Sequence, residues 1–278
     1  IIWAWALVAC TRTEPQNGAK PADVAQPTVE SSDLLQRAKD RSMRGDTLGA
    51  IAAYTESLLA DPMQITALGN RALLHAAIGH HDAALADYDL LLTIDPENYA
   101  ALDRRAALCY RMGRYQEALQ DLAYIEQHRA DDPDLLNRIG EAQLRLGHYG
   151  EALLAFEQVY RLRRGSPVAI RNRAATYYAM GDYKRARADY QLLLDHDPQD
   201  SEALNGMGLI LQFVDGDALA AEASYRNAIL TNPNNAGAWY NIAFLEAASE
   251  RSAKAILDFG EAIRIDPSYA DAYVNRGL

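Results

Sequence analysis

The sequence predicts an all-α chain folded as a solenoid of stacked helical hairpins, and three observations carry that expectation. A 34-residue spacing sets Gly45, Gly79, Gly113, Gly147 and Gly181 in register, with Ala50, Ala84, Ala118, Ala152 and Ala186 always five residues later. An aromatic or leucine follows each alanine by four, at Tyr54, Tyr88, Leu122, Phe156 and Tyr190, so each pair shares one helix face. No segment reads as a strand. Two further units keep the pair: Ala221 with Tyr225 after a one-residue insertion, and Ala255 with Phe259, where Glu250 replaces the glycine. Seven units open near residues 31, 65, 99, 133, 167, 201 and 236, with a truncated eighth from 270.

Each element of a unit has a local cause. Between Ile65 and Gly79, Leu68, Ala72 and His75 recur at three- and four-residue steps, the apolar rhythm of a helix. Glycine then ends that helix, because the residue past a C-terminus often enters the left-handed region where a Cβ would clash. Alanine at such a place is expected to cost more than about 1 kcal/mol. His81 to Ile94 forms the second helix, with Ala84, Leu85, Tyr88 and Leu91 inward, until Asp95-Pro96 stops it. Pro62, Pro96, Pro198, Pro233 and Pro267 hold this stop position in five units, each after Asp or Asn; Pro133 and Pro167 instead open the units that follow the two exceptions.

Counting from the first residue of each unit, place 8 is always small: Ala38, Ala72, Ala106, Gly140, Ala174, Gly208, Ala243 and Gly277. Close helix contact selects such residues, since overpacking costs roughly 1–3 kcal/mol per site.

These jointly kept places resemble the tetratricopeptide repeat family, whose unit has small residues at places 8 and 20, an aromatic at 24 and proline at 32. The likeness spans about residues 31–278 and implies a right-handed α-solenoid whose first helices line a concave groove. Two departures stand out. The family's tryptophan at place 4 occurs only as Trp239, and place 7, usually leucine, holds Arg37, Arg71, Arg105, Arg173 and Arg276. In units two, three and five that arginine is matched at place 23 by Asp87, Asp121 and Asp189, whereas unit four has Ile139 and Ala155 together. Joint replacement is what a semi-buried charge pair between the two helices of a hairpin predicts, whereas units one and seven break the pattern, with Arg37 facing Ala53 and Ile242 facing Asp258.

One elongated domain is expected, because repeats add units without enlarging a single core. A net charge of −11 argues against nucleic-acid binding, which needs a basic surface. Cys109 falls on an inward face as a small core residue, and two cysteines make no disulfide framework. Residues 1–10 are an apolar run ending Leu7-Val8-Ala9-Cys10, which resembles a bacterial lipoprotein signal with Cys10 as the lipid attachment site. Residues 11–30 are polar, hold Pro15, Pro21 and Pro27, and read as a flexible tether to a repeat domain over 31–278. Thr11 after the cysteine resembles outer-membrane sorting, so the expected location is the bacterial cell envelope, facing the periplasm in a Gram-negative cell. The native chain is expected to continue past Leu278.

Six scattered histidines lack the spacing of a metal site, no phosphate-binding glycine loop follows a strand, and no nucleophile has a recognisable setting. Neither cofactor, metal nor catalysis is therefore expected. The resemblance places peptide contacts at places 2, 5, 6, 9, 12 and 13 of the first helices. There Asn70, Arg104, Arg138 and Asn172 form a row at place 6, Arg111 and Arg145 lie seven residues beyond two of them, Arg171 extends the patch, and Tyr110 and Tyr178 border it. Guanidinium groups on an otherwise acidic molecule suit acidic peptide segments, although Asp103, Asp134 and Glu141 stand near enough to neutralise them. The expected function is a membrane-anchored interaction scaffold. The alternative is a regulatory or targeting arm of an enzyme whose catalytic domain lies beyond residue 278.

Overall fold

The computed structural model describes residues 29–249 and 251–277. The Cys10 signal and the tether expected over residues 11–30 lie outside them, apart from the two residues that open the first helix. The hairpins are, in order, α1 (Val29–Met43) with α2 (Thr47–Ala60), α3 (Ile65–Ala77) with α4 (His81–Ile94), and α5 (Tyr99–Arg111) with α6 (Tyr115–Glu126). There follow α7 (Pro133–Arg145) with α8 (Tyr149–Leu162), α9 (Pro167–Ala179) with α10 (Tyr183–His196), and α11 (Ser201–Phe213) with α12 (Ala218–Thr231). The last are α13 (Ala236–Ala248) with α14 (Ser252–Ile265), then α15 (Ala270–Gly277). No strand occurs among the described residues. Every helix packs on the next, and the first helices also touch across hairpins (α7 with α9, α9 with α11, α11 with α13), so they line one side of an α-solenoid.

The punctuation follows from backbone chemistry. Gly45, Gly79, Gly113, Gly147 and Gly181 all have φ between 75° and 81°, the left-handed turn the register demands, and Gly216 takes the same role at φ 70° in the unit with the insertion. Before the prolines, the acidic or amide side chain does work that the sequence pattern alone did not explain. Asp61, Asp197, Asn232 and Asp266 each accept a hydrogen bond from the backbone N–H two residues on, at 3.1, 2.9, 3.1 and 2.9 Å. The side chain thereby closes an Asx turn across the proline, which cannot donate. Unit three lacks this device, and its second helix, α6, has 12 residues where α4 has 14.

The core is one repeated contact. The place-20 alanines from Ala50 to Ala221 are fully buried, and the place-24 side chains Tyr54, Tyr88, Leu122, Phe156, Tyr225 and Phe259 are nearly so. They pack against place 8 of the facing helix. A Cβ added at Gly140 would stand 2.5 Å from the Phe156 ring, and one at Gly208 would stand 2.4 Å from the Tyr225 ring. Close approach therefore fixes glycine at those two places. Cys109 is buried, and burial pushes its thiol up, as an inert core residue requires.

Candidate protein-binding face

The arginines at place 7 are structural. Nε and Nη2 of Arg71 donate side-on to Asp87 at 2.9 and 2.6 Å, and Arg105 and Arg173 grip Asp121 and Asp189 in the same way. The charge pairs expected between the helices of these hairpins are thus present. A third partner was not legible: the remaining Nη1 crosses to place 25 of the preceding unit, Thr55 at 3.0 Å, Asp89 at 2.6 Å and Glu157 at 2.9 Å. Each arginine therefore joins three helices, and its fork geometry suits this better than lysine would. The carboxylate hydrogen bonds hold the guanidinium groups of Arg105 and Arg173 above even their ordinary range.

Unit seven solves the same problem differently. Ile242 occupies place 7, and the cations come instead from Arg226 on α12 and Lys254 on α14, both paired with the fully buried Glu246. Glu246 and Asp258 face each other, and burial together with that neighbour pushes Asp258 up to about 6. Beside them, hydrogen bonds from Arg251 and Arg226 draw Glu222 down to about 2.

On the inner side, the row at place 6 proves to be a ladder between repeats. Arg138 is paired with the Asp103 carboxylate and its Nη2 donates to the Asp103 carbonyl at 3.1 Å. Asn172 donates to Asn137 at 2.9 Å, Asn241 to Asn205 at 2.9 Å, and Asn275 to the Tyr240 hydroxyl at 2.8 Å. In each case place 6 of one unit meets place 5 of the unit before. Where place 5 is Leu35 or Gly69 and offers no polar group, Asn70 and Arg104 turn to the hydroxyls of Tyr54 and Tyr88. Arg171 is paired with Asp200 at 2.7 Å.

Of the nine contact residues read from the sequence, Arg138 and Asn172 are thus engaged by the preceding repeat, Asn70 and Arg104 turn to its tyrosines, and Arg171 pairs with the Asp200 that caps α11. The neutralisation expected from Asp103 is real, whereas Asp134 pairs with Arg163 and not with an arginine of this row. Arg104, Arg111 and Arg145 form no ion pair with a carboxylate among the described residues, and all three are exposed. Phenols surround them: Arg145 Nε points at the Tyr110 hydroxyl at 3.5 Å, and Tyr110 packs edge-on to Tyr115 at 5.1 Å. Burial pushes the Tyr88 hydroxyl up, and the charges of Arg104 and Arg111 pull it back. Tyr178 borders the row from unit five, packed edge-on to Tyr183 at 5.3 Å.

Helical hairpins in 34-residue register, first helices inward, with a variable inner face, define a repeat protein that offers a surface for other proteins. A tetratricopeptide repeat profile matches residues 35–99, 105–167 and 210–270, and a second such profile matches 143–210. The chain belongs to the tetratricopeptide repeat family, whose members generally mediate protein–protein interaction. No curated protein matches the sequence. Among solved structures, a tetratricopeptide repeat protein from Parabacteroides merdae is 19% identical with a TM-score of 0.80, covering 89% of this chain and 97% of its own. PilW, a widely conserved type IV pilus biogenesis factor, is 19% identical with a TM-score of 0.56, covering 74% and 94%. MamA is 19% identical with a TM-score of 0.55, covering 62% and 94%. At these identities the likeness is one of fold.

Proposed function

We propose that this chain is a non-catalytic interaction scaffold of the bacterial cell envelope, lipid-anchored through Cys10, that binds acidic polypeptide segments on the inner face of units three and four. One observation carries the binding reading. Arg104, Arg111 and Arg145 are exposed on that face without a carboxylate, in a chain whose net charge is −11 and whose neighbouring Arg138 and Arg171 are both paired. Unpaired guanidinium groups among phenols present bidentate donors and stacking surfaces together. Asn70, Tyr110 and Tyr178 border the contact row, while Arg138, Arg171 and Asn172 hold the first helices in line beneath it. The anchor reading is supported by the apolar run before Cys10 and the proline-containing polar stretch after it. In a Gram-negative cell the outer membrane, facing the periplasm, is the proposed site, and a pilus biogenesis factor shares the fold.

Crosslinking and capture from intact envelopes tests the binding, comparing wild type with the triple variant Arg104→Glu, Arg111→Glu, Arg145→Glu. Partners retained by wild type should be lost from the variant, and an unchanged partner set rejects the basic face. Incorporation of a labelled fatty acid should depend on Cys10, and equal labelling of Cys10→Ser rejects the anchor.

A further inference from the structure

The inner face changes chemistry along its length. Place 13 runs Arg111, Arg145, Ala179, Phe213, and among the contact places of units six and seven only place 2 of unit six, Glu202, carries a charge. The chain has four phenylalanines. Phe156 and Phe259 are core residues, whereas Phe213 and Phe244 are 57% and 39% exposed, and both stand on this inner row. Their rings meet across successive first helices at 6.1 Å, and Tyr240 lies 6.4 Å from Phe244 on the other side. Tyr240 is itself backed by Phe259 at 5.6 Å and Tyr269 at 4.8 Å, so the exposed rings rest on a fixed aromatic base. An isolated exposed apolar residue needs no explanation, but two phenyl rings from different repeats, in contact and on one track with unpaired arginines, form a built surface.

From this continuity we infer that Phe213, Tyr240 and Phe244 form an aromatic subsite that takes a phenylalanine-like or leucine-like side chain of the same polypeptide whose acidic stretch lies on Arg104, Arg111 and Arg145. The occupant is an extended partner segment with two separated features, an acidic run and an apolar anchor. At place 13 between the two halves stands Ala179, small and exposed. Linking two weak contacts on one chain raises affinity because the second contact forms at high effective concentration. The inference rests on the acidic-segment reading of the basic face, and the two fail separately.

Fluorescein-labelled synthetic peptides test it by anisotropy at low salt. One set carries an acidic Glu-Asp run alone, and another carries the run joined to a single phenylalanine by Gly-Ser spacers of graded length. At the best spacing the phenylalanine peptide should bind about tenfold tighter than the run alone. Phe213→Ser with Phe244→Gln should abolish that gain while leaving the affinity for the run alone unchanged; both positions are exposed, and unaltered helical circular dichroism confirms folding. Equal affinity of both peptides at every spacing, with the run still bound, overturns the aromatic subsite and leaves the basic face standing. No binding of the run itself overturns both.

Discussion

Arg105 lies side-on against Asp121, its Nε and Nη2 donating at 2.9 and 2.6 Å, while its free Nη1 reaches Asp89 on the preceding hairpin at 2.6 Å. One side chain thus fastens α4, α5 and α6. Asp121 is buried, so the pair cannot exchange its partner for water when one member is removed.

Removal of either partner should therefore be costly and joint removal mild. Arg105→Ile or Asp121→Ala alone should each lose about 3–5 kcal/mol, because one buried charge is left uncompensated. The double variant reproduces the natural solution of unit four, Ile139 with Ala155, and should recover most of that loss. Urea unfolding of the four proteins measures this, and a double variant as unstable as the worse single one rejects the staple.

A volume test separates contact glycines from the rest. Gly140→Ala places a methyl group 2.5 Å from the Phe156 ring and should destabilise by roughly 1–3 kcal/mol. Gly150→Ala, in the paired helix, meets nothing within 4 Å and should be neutral or stabilising by up to about 1 kcal/mol. Equal effects from the two substitutions in thermal unfolding contradict the packing described for place 8.

Unit seven should respond to pH through Asp258. Its folded pKa of about 6 lies above the ordinary carboxyl value of 3.8, so the folded state holds this proton more tightly than the unfolded chain. The stabilisation from that proton is full below the ordinary value and is lost as pH rises through the folded one. Asp258→Asn should therefore melt above wild type at about pH 8, with the advantage shrinking toward about pH 4. A difference independent of pH, or one of opposite sign, rules out the shared burial of Asp258 and Glu246.

Asp103 restrains the basic face by pairing with Arg138. Asp103→Asn should free that guanidinium group, raise affinity for an acidic peptide a few-fold at low salt, and steepen the salt dependence. Anisotropy titrations at two ionic strengths measure both, and unchanged affinity and slope place Arg138 outside the contact face.

Much of the architecture was legible because it depends on neighbours close in sequence. The turn at Gly79, the helix His81–Ile94 and the Ala84–Tyr88 face each follow from helix geometry within a few residues. The Arg71–Asp87 pair was also readable, since its two places are both charged in units two, three and five and both uncharged in unit four, although units one and seven keep only one of the two charges. The inner ladder was not. Asn172 and Asn137 lie 35 residues apart, one more than the period, and no helix rule relates positions on separate hairpins. The signal that could have revealed it is a polar residue at place 5 followed by a polar residue at place 6 of the next unit. The third arm of Arg105, toward Asp89, was hidden for the same reason.

The repeat, its punctuation and its core follow from residue order alone, because helix periodicity, left-handed glycine and the helix-breaking proline act within a turn or two of chain. Which inner-face arginines meet a carboxylate was settled by the packing of one hairpin on the next. Arg104, Arg111 and Arg145 meet no carboxylate while Arg138 and Arg171 do, since that depends on which side chain the stacking of successive hairpins brings within reach.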